Sequence, residues 1–186
     1  MSYASAQHDR MLSSLIIPCR VVAVDLAVAM VRVSDGGEWT SAWVRWHSQA
    51  AGKARHWRAP SLGEQGVLFS PSGEPAQGTF VPGLYGNAGA PPDNRDHVEV
   101  WRFDDGGSLV YDWAAGSYTI KVPSGTVTVE VGGTKVVATD DAIAAQSASI
   151  TLTGNVRIVG PLQVTGDING GGRIIDTAGN TANHKH

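Results

Sequence analysis

Apolar and polar residues alternate along this chain in short bursts, the period-two signature of half-buried strands. Arg20-Val21-Val22-Ala23-Val24-Asp25 and Met30-Val31-Arg32-Val33 flank a short turn and predict a hairpin. Trp39 to Trp46 also alternates, so its three tryptophans serve different faces. Pro60 to Gly66 is a turn-rich approach to Val67-Leu68-Phe69, and Pro71-Ser72-Gly73 separates that strand from Thr79 to Tyr85. Ahead of them, the polar stretch from Tyr3 to Leu12 has room for one or two helical turns. Five short strands within about seventy residues predict a small closed barrel, with the five-stranded OB-fold the leading candidate.

The second half has the same alternation but different chemistry. Tyr118–Val122, Thr126–Val131, Ser149–Thr153, Val156–Val159 and Leu162–Val164 each carry one apolar stripe and one more polar, Thr- and Ser-rich stripe. Pro123-Ser124-Gly125, Gly132-Gly133, Gly154-Asn155 and Gly160-Pro161 mark turns between them. No single strict period emerges from these segments, so they read as a degenerate array of strands.

Composition sharpens the boundary. All thirteen aromatics lie at or before Tyr118, and the 68 residues from Thr119 to His186 contain none. That tail holds ten Gly, ten Thr, nine Val and seven Ile, which fits strand and turn. Its strands offer only two or three apolar residues each, and no helix or aromatic layer is there to cover them. One chain therefore lacks a core for its tail. Several identical chains meeting on a shared axis would bury the stripes and remove free sheet edges, which predicts an obligate homo-oligomer of a number left open here.

Charge and cysteine content remove several alternatives. The 186-residue chain has 14 Lys plus Arg against 17 Asp plus Glu, a net charge of -3. This balance argues against affinity built on bulk attraction to nucleic acid or anionic lipid. A single cysteine, Cys19, permits neither an internal disulfide nor a Cys-based zinc site. There is no run of eighteen apolar residues, and Met1 to Arg10 shows no secretory signal, so a cytoplasmic chain is expected. An OB-fold also admits a single-stranded nucleic-acid module. Trp39, Trp43, Trp46 and Trp57 lie among Arg45, Lys53, Arg55 and Arg58 with no acid between Glu38 and Glu64. The competing reading fills the barrel with the tryptophans and leaves the cations on a solvated or subunit-facing loop; with acidic net charge, no nucleic-acid partner is expected. Asp104-Asp105 and Asp140-Asp141 have the look of turns, no Gly-x-Ser-x-Gly elbow exists, and His47, His56 and His97 are scattered, so no catalytic residues are expected. Gly170-Gly171-Gly172 lacks the Lys-Ser/Thr of a phosphate loop and reads as a tightly turning entry to the end of the chain.

The sequence closes on His184-Lys185-His186. In extended backbone, residues two apart point to one side, so the two imidazoles face together. Imidazole ligates iron, zinc, nickel and copper, and two rings do not fill a coordination sphere. Three chains on an axis would supply six nitrogens, an octahedral set; the competing reading is a frayed terminus.

Val24-Asp25, Arg32-Val33, Trp43-Val44, Pro60-Ser61-Leu62-Gly63-Glu64-Gln65-Gly66 and Val81-Pro82-Gly83-Leu84-Tyr85 resemble the baseplate assembly protein V family. These are central spikes of contractile phage tails and R-type pyocins, and the resemblance runs through the aromatic-free tail to the closing His-Lys-His. It implies an all-β homotrimer: an N-terminal segment (1–15), an OB-fold-like barrel (16–95), an intertwined β-helix shaft (96–169) and a pointed apex (170–186). It further implies one iron ion per trimer on the three-fold axis, held by His184 and His186, and docking on tail hub, baseplate and tube proteins. The implied role is non-enzymatic piercing of the target cell's outer membrane, by a component assembled in the bacterial cytoplasm and released by lysis. A baseplate assembly module without a piercing role is the alternative. Val129, Val131, Ile150, Leu152 and Ile158 are the residues expected to face the axis.

Overall fold

A computed structural model describes residues 3–172. They form one α-helix and eleven strands, in two compact units divided between Pro123 and Ser124. None of the helices among the described residues is long and apolar enough to cross a membrane.

The first unit opens with helix α1 (Tyr3–Ser13) and a closed five-stranded barrel. Its strands are β1 (Ile16–Asp25), β2 (Met30–Ser34), β3 (Val44–Trp46), β4 (Gln65–Phe69) and β5 (Thr79–Leu84). They close in the order β1-β2-β3-β5-β4, with β3 and β5 parallel and the other pairs antiparallel. Alternation does the sorting: Cys19, Val21, Val31, Val33, Val44, Leu68 and Phe80 are buried, while Arg20, Pro18 and Arg45 point outward. A bulge between Val21 and Ala23 shifts the phase of β1, so that Val24 rejoins the inner face. Gly66 is obligatory: a Cβ there would strike the Val81 carbonyl oxygen and come within 2.6 Å of the Phe80 ring. The largest core side chain therefore occupies space that β4 leaves empty.

The Trp39–Trp46 stretch is less regular than its alternation predicts. Thr40 bridges to Ser34, Ser41 is buried, and strand structure resumes only at Val44. Ser41 Oγ accepts from Val33 N–H at 3.0 Å and donates to the Ala42 carbonyl at 2.7 Å. The phase slips by one residue between Ser41 and Val44, which sends Trp39 and Trp46 to the core and leaves Trp43 outside. Two short 3-10 turns, Pro71–Gly73 and Pro75–Gln77, link β4 to β5. Gly73 lies against Met11 of α1 with φ of 70°, so both the turn and the close approach require glycine there.

The same unit ends in an antiparallel meander of β6 (Val98–Arg102), β7 (Ser108–Asp112) and β8 (Ser117–Lys121). The second unit holds another, of β9 (Thr126–Val131), β10 (Thr134–Thr139) and β11 (Ile143–Gln146). Gly132-Gly133 makes the two-residue turn between β9 and β10, and Thr139 closes the Asp140-Asp141 turn through Ala142. Of the predicted tail strands, Ser149–Thr153, Val156–Val159 and Leu162–Val164 differ: they carry the alternation but join no sheet among the described residues. Alternation specifies a strand with two faces and not the neighbour that completes its hydrogen bonds.

Candidate functional site

The register of the two meanders assigns every side chain to a face, because directly opposite residues project to the same side. In β6-β7-β8 one face collects the rows Trp101-Leu109-Ile120 and Glu99-Tyr111-Tyr118. Tyr111 and Tyr118 have ring centroids 6.3 Å apart, and Trp101 Nε1 donates to Glu99 Oε1 at 3.0 Å. In β9-β10-β11 one face collects Val127-Ala138-Ile143 and Val129-Val136-Ala145, with Val131 beside Thr134. The opposite face carries Thr128, Glu130, Lys135 and Gln146.

Most of both apolar faces is uncovered among the described residues, although Leu109, Val127 and Ala138 are half-buried. Val129 is 62% exposed, Val131 75% and Ile143 82%, and Trp101, Tyr118 and Ile120 are also exposed. From Ile150 through Leu152, Val156, Ile158, Leu162 and Val164 to Ile168, every large apolar residue of the final described stretch is exposed as well. Monomeric proteins rarely present contiguous apolar surface on this scale, and a three-stranded sheet needs a layer against its apolar face. The structure thus sets Val129 and Val131 on one face, as expected, and leaves Ile150, Leu152 and Ile158 uncovered. It adds Trp101, Leu109, Ile120, Val136, Ala138 and Ile143, which pattern reading missed. Leu109-Val110-Tyr111 and Val136-Val137-Ala138 are unbroken apolar runs, in which alternation is hidden; hairpin pairing around Gly132-Gly133 is the signal that could have found the second.

Polar contacts fix the loops around the barrel. Arg58 grips the Glu64 carboxylate with both terminal nitrogens, one of them at 3.0 Å, and Ser61 N–H adds a bond at 2.9 Å. Burial works to raise the Glu64 carboxyl, but these bonds outweigh it and hold the group below the usual carboxylate range. Gly63 N–H donates to the Val21 carbonyl and Val21 N–H to that of Glu64, so this turn is stitched onto β1. Farther along, Arg95 clamps Asp93 and Asp112 at 2.8 and 3.1 Å, and Asp112 also caps the β7–β8 turn through Ala114 and Ala115 N–H. Bonding to Arg95 holds the Asp93 carboxyl far below its ordinary value. Burial pushes the Cys19 thiol up to about 11, which leaves it protonated and inert.

The residues weighed for other chemistry are dispersed. Trp39 and Trp46 pack on the core, Trp57 lies 5.4 Å from Trp46, and Arg58 is committed to Glu64. His56 meets the edge of Trp101 at 6.0 Å, and His97 Nδ1 is 3.0 Å from Asp96. Asp104-Asp105 and Asp140-Asp141 sit in turns. Among the described residues no cluster of three or more His, Cys, Asp or Glu could hold a metal ion. His184 and His186 lie outside the described residues.

Comparison with known proteins follows the same division. Residues 17–85 match the Type VI secretion system/phage-baseplate injector OB domain, and residues 99–170 match Gp138, beta helical trimerization domain. A barrel of one kind followed by exposed sheets of the other is the combination that supports a baseplate/central spike protein. The chain is similar along nearly its whole length to the Spike protein of Escherichia phage P2, with 28% identity over an alignment of 196 positions that takes in 95% of this chain and 89% of that protein.

Proposed function

We propose that three copies of this chain form the central spike of a contractile phage tail. The barrel docks on the baseplate hub and tube end, and the following strands form a stiff shaft that is driven through the outer membrane of the target cell. The observation that carries this reading is the largely uncovered apolar faces of β6-β8 and β9-β11, which a three-chain shaft covers and a lone chain does not. Contraction of a sheath supplies the work, and the shaft transmits force without bond making or breaking, so no catalytic residue is required. A closed prism resists buckling because strands must fail together.

At the far end, His184 and His186 of three chains would present six imidazole nitrogens to one iron ion. Zinc, which prefers four ligands, suits that donor set poorly. The ion would tie three chain ends at a place with no large aromatic to pack. Assembly in the cytoplasm and release of the particle by lysis complete the proposed course.

Immunogold electron microscopy of particles tests the placement. Antibody against this chain should label the tail tip below the baseplate. Labelling confined to sheath or head would overturn the reading.

A further inference from the structure

Beyond Gln146 the backbone has a rhythm that side-chain alternation conceals. It bends at Ala148, Gly154, Gly160, Thr165-Gly166 and Gly171-Gly172, and runs straight between. Ala148, Gly154, Gly160, Gly166 and Gly172 stand six residues apart. Gly154 and Gly160 have φ of 122° and 131°, a region that side chains other than glycine rarely enter. Counting each bend as position zero, positions two and four are Ile150 and Leu152, then Val156 and Ile158, then Leu162 and Val164, then Ile168 and Gly170. Position three is Thr151, Arg157, Gln163 and Asn169, polar in every repeat.

We infer that residues 148–171 are four hexads, each crossing one side of a three-sided shaft shared by three chains, with the glycines at the corners. This rests on the homotrimer proposed above and assigns its frame. Positions two and four face the axis, and positions one, three and five face outward. Three hexads bring a chain back to the side on which it started. If the strands of three chains interleave at about 4.8 Å each, one chain climbs about 14 Å per turn. Successive turns of a single chain are then too far apart to hydrogen-bond, which explains why this segment joins no sheet among the described residues. The second and third copies would supply its backbone partners, whereas β6 to β11 form ladders of their own.

The frame is tested by deletion in the full-length protein, read by hydrogen exchange and sedimentation. Removing residues 154–159 takes out one whole hexad and joins Thr153 to Gly160 in phase. Removing residues 155–159 takes out five and reverses the facing of every later side chain. The six-residue deletion should stay trimeric, with exchange across 160–172 within about threefold of wild type. The five-residue deletion should speed that exchange at least tenfold. Equal exchange in the two deletions would overturn the frame. A wild-type trimer whose residues 149–168 exchange at free-chain rates would overturn interchain pairing alone, and a wild-type monomer would overturn the homotrimer as well.

Discussion

Replacing Val129 by aspartate puts the account of the shaft at risk through a single side chain. Val129 is 62% exposed within its own chain and lies directly across from Val136 on the apolar face of the β9-β11 sheet. Were that face open to water, the substitution would be a surface change, within about 0.5 kcal/mol of neutral. If the face lies against two other copies, the trimer loses the burial of the exposed portion. At about 1.5–3 kcal/mol for a fully buried side chain, this is about 1–2 kcal/mol per chain and about 3–6 kcal/mol per trimer. Three carboxylates brought together in a dry interior add several kcal/mol more, because none has a cationic partner there. Thr128→Asp is the matched control, since it places the same charge on the opposite face beside Val137. Sedimentation velocity and thermal melting at two concentrations should show Val129→Asp dissociated or strongly destabilised and Thr128→Asp close to wild type. Equal melting and trimer content in the two variants would refute the burial of this face.

Other parts of the molecule give separate tests. Gly66→Ala should destabilise the barrel by about 1–3 kcal/mol, because its methyl group competes with the Phe80 ring and the Val81 carbonyl; unfolding followed by tryptophan fluorescence measures it, and an unchanged midpoint would show that the barrel can yield there. Glu64 has a folded-state pKa below its unfolded one, so its contribution is complete above the ordinary value of about 4.3 and disappears as pH falls through the lower folded value. The melting difference between wild type and Glu64→Gln should accordingly be present at neutral pH and vanish in acid, and a pH-independent difference would remove the ion pair from the explanation. Protein purified without a nickel column should carry about one iron per three chains, lost in the His184→Ala, His186→Ala double variant; stoichiometric iron in that variant would place the metal elsewhere.

The barrel's strands were legible from short apolar segments set between turns, and in β2 the alternation around Arg32 puts Val31 and Val33 in the core. In β1 and β4 the apolar runs Val21-Val22-Ala23-Val24 and Val67-Leu68-Phe69 mark a strand without saying that Val21 and Leu68 face inward. The breaks in phase were not legible: the bulge after Val21 and the slip between Ser41 and Val44 depend on backbone pairing across the barrel, which spacing does not encode. Arg58–Glu64 and Arg95–Asp112 were missed for the same reason, since a charge gives no sign of its partner until the loops are placed. In the tail, the exposed stripes were foreseen from the absence of aromatics. The six-residue frame was not, because apolar alternation has no phase until the bends at Gly154 and Gly160 mark its corners.

In the proposed trimer this chain completes its fold only with two other copies of itself. Sedimentation equilibrium of the untagged full-length protein at micromolar concentration tests that directly. A single species of about 58 kDa is expected, three times the 19.5 kDa of one chain. A stable, folded species of 19.5 kDa would contradict it.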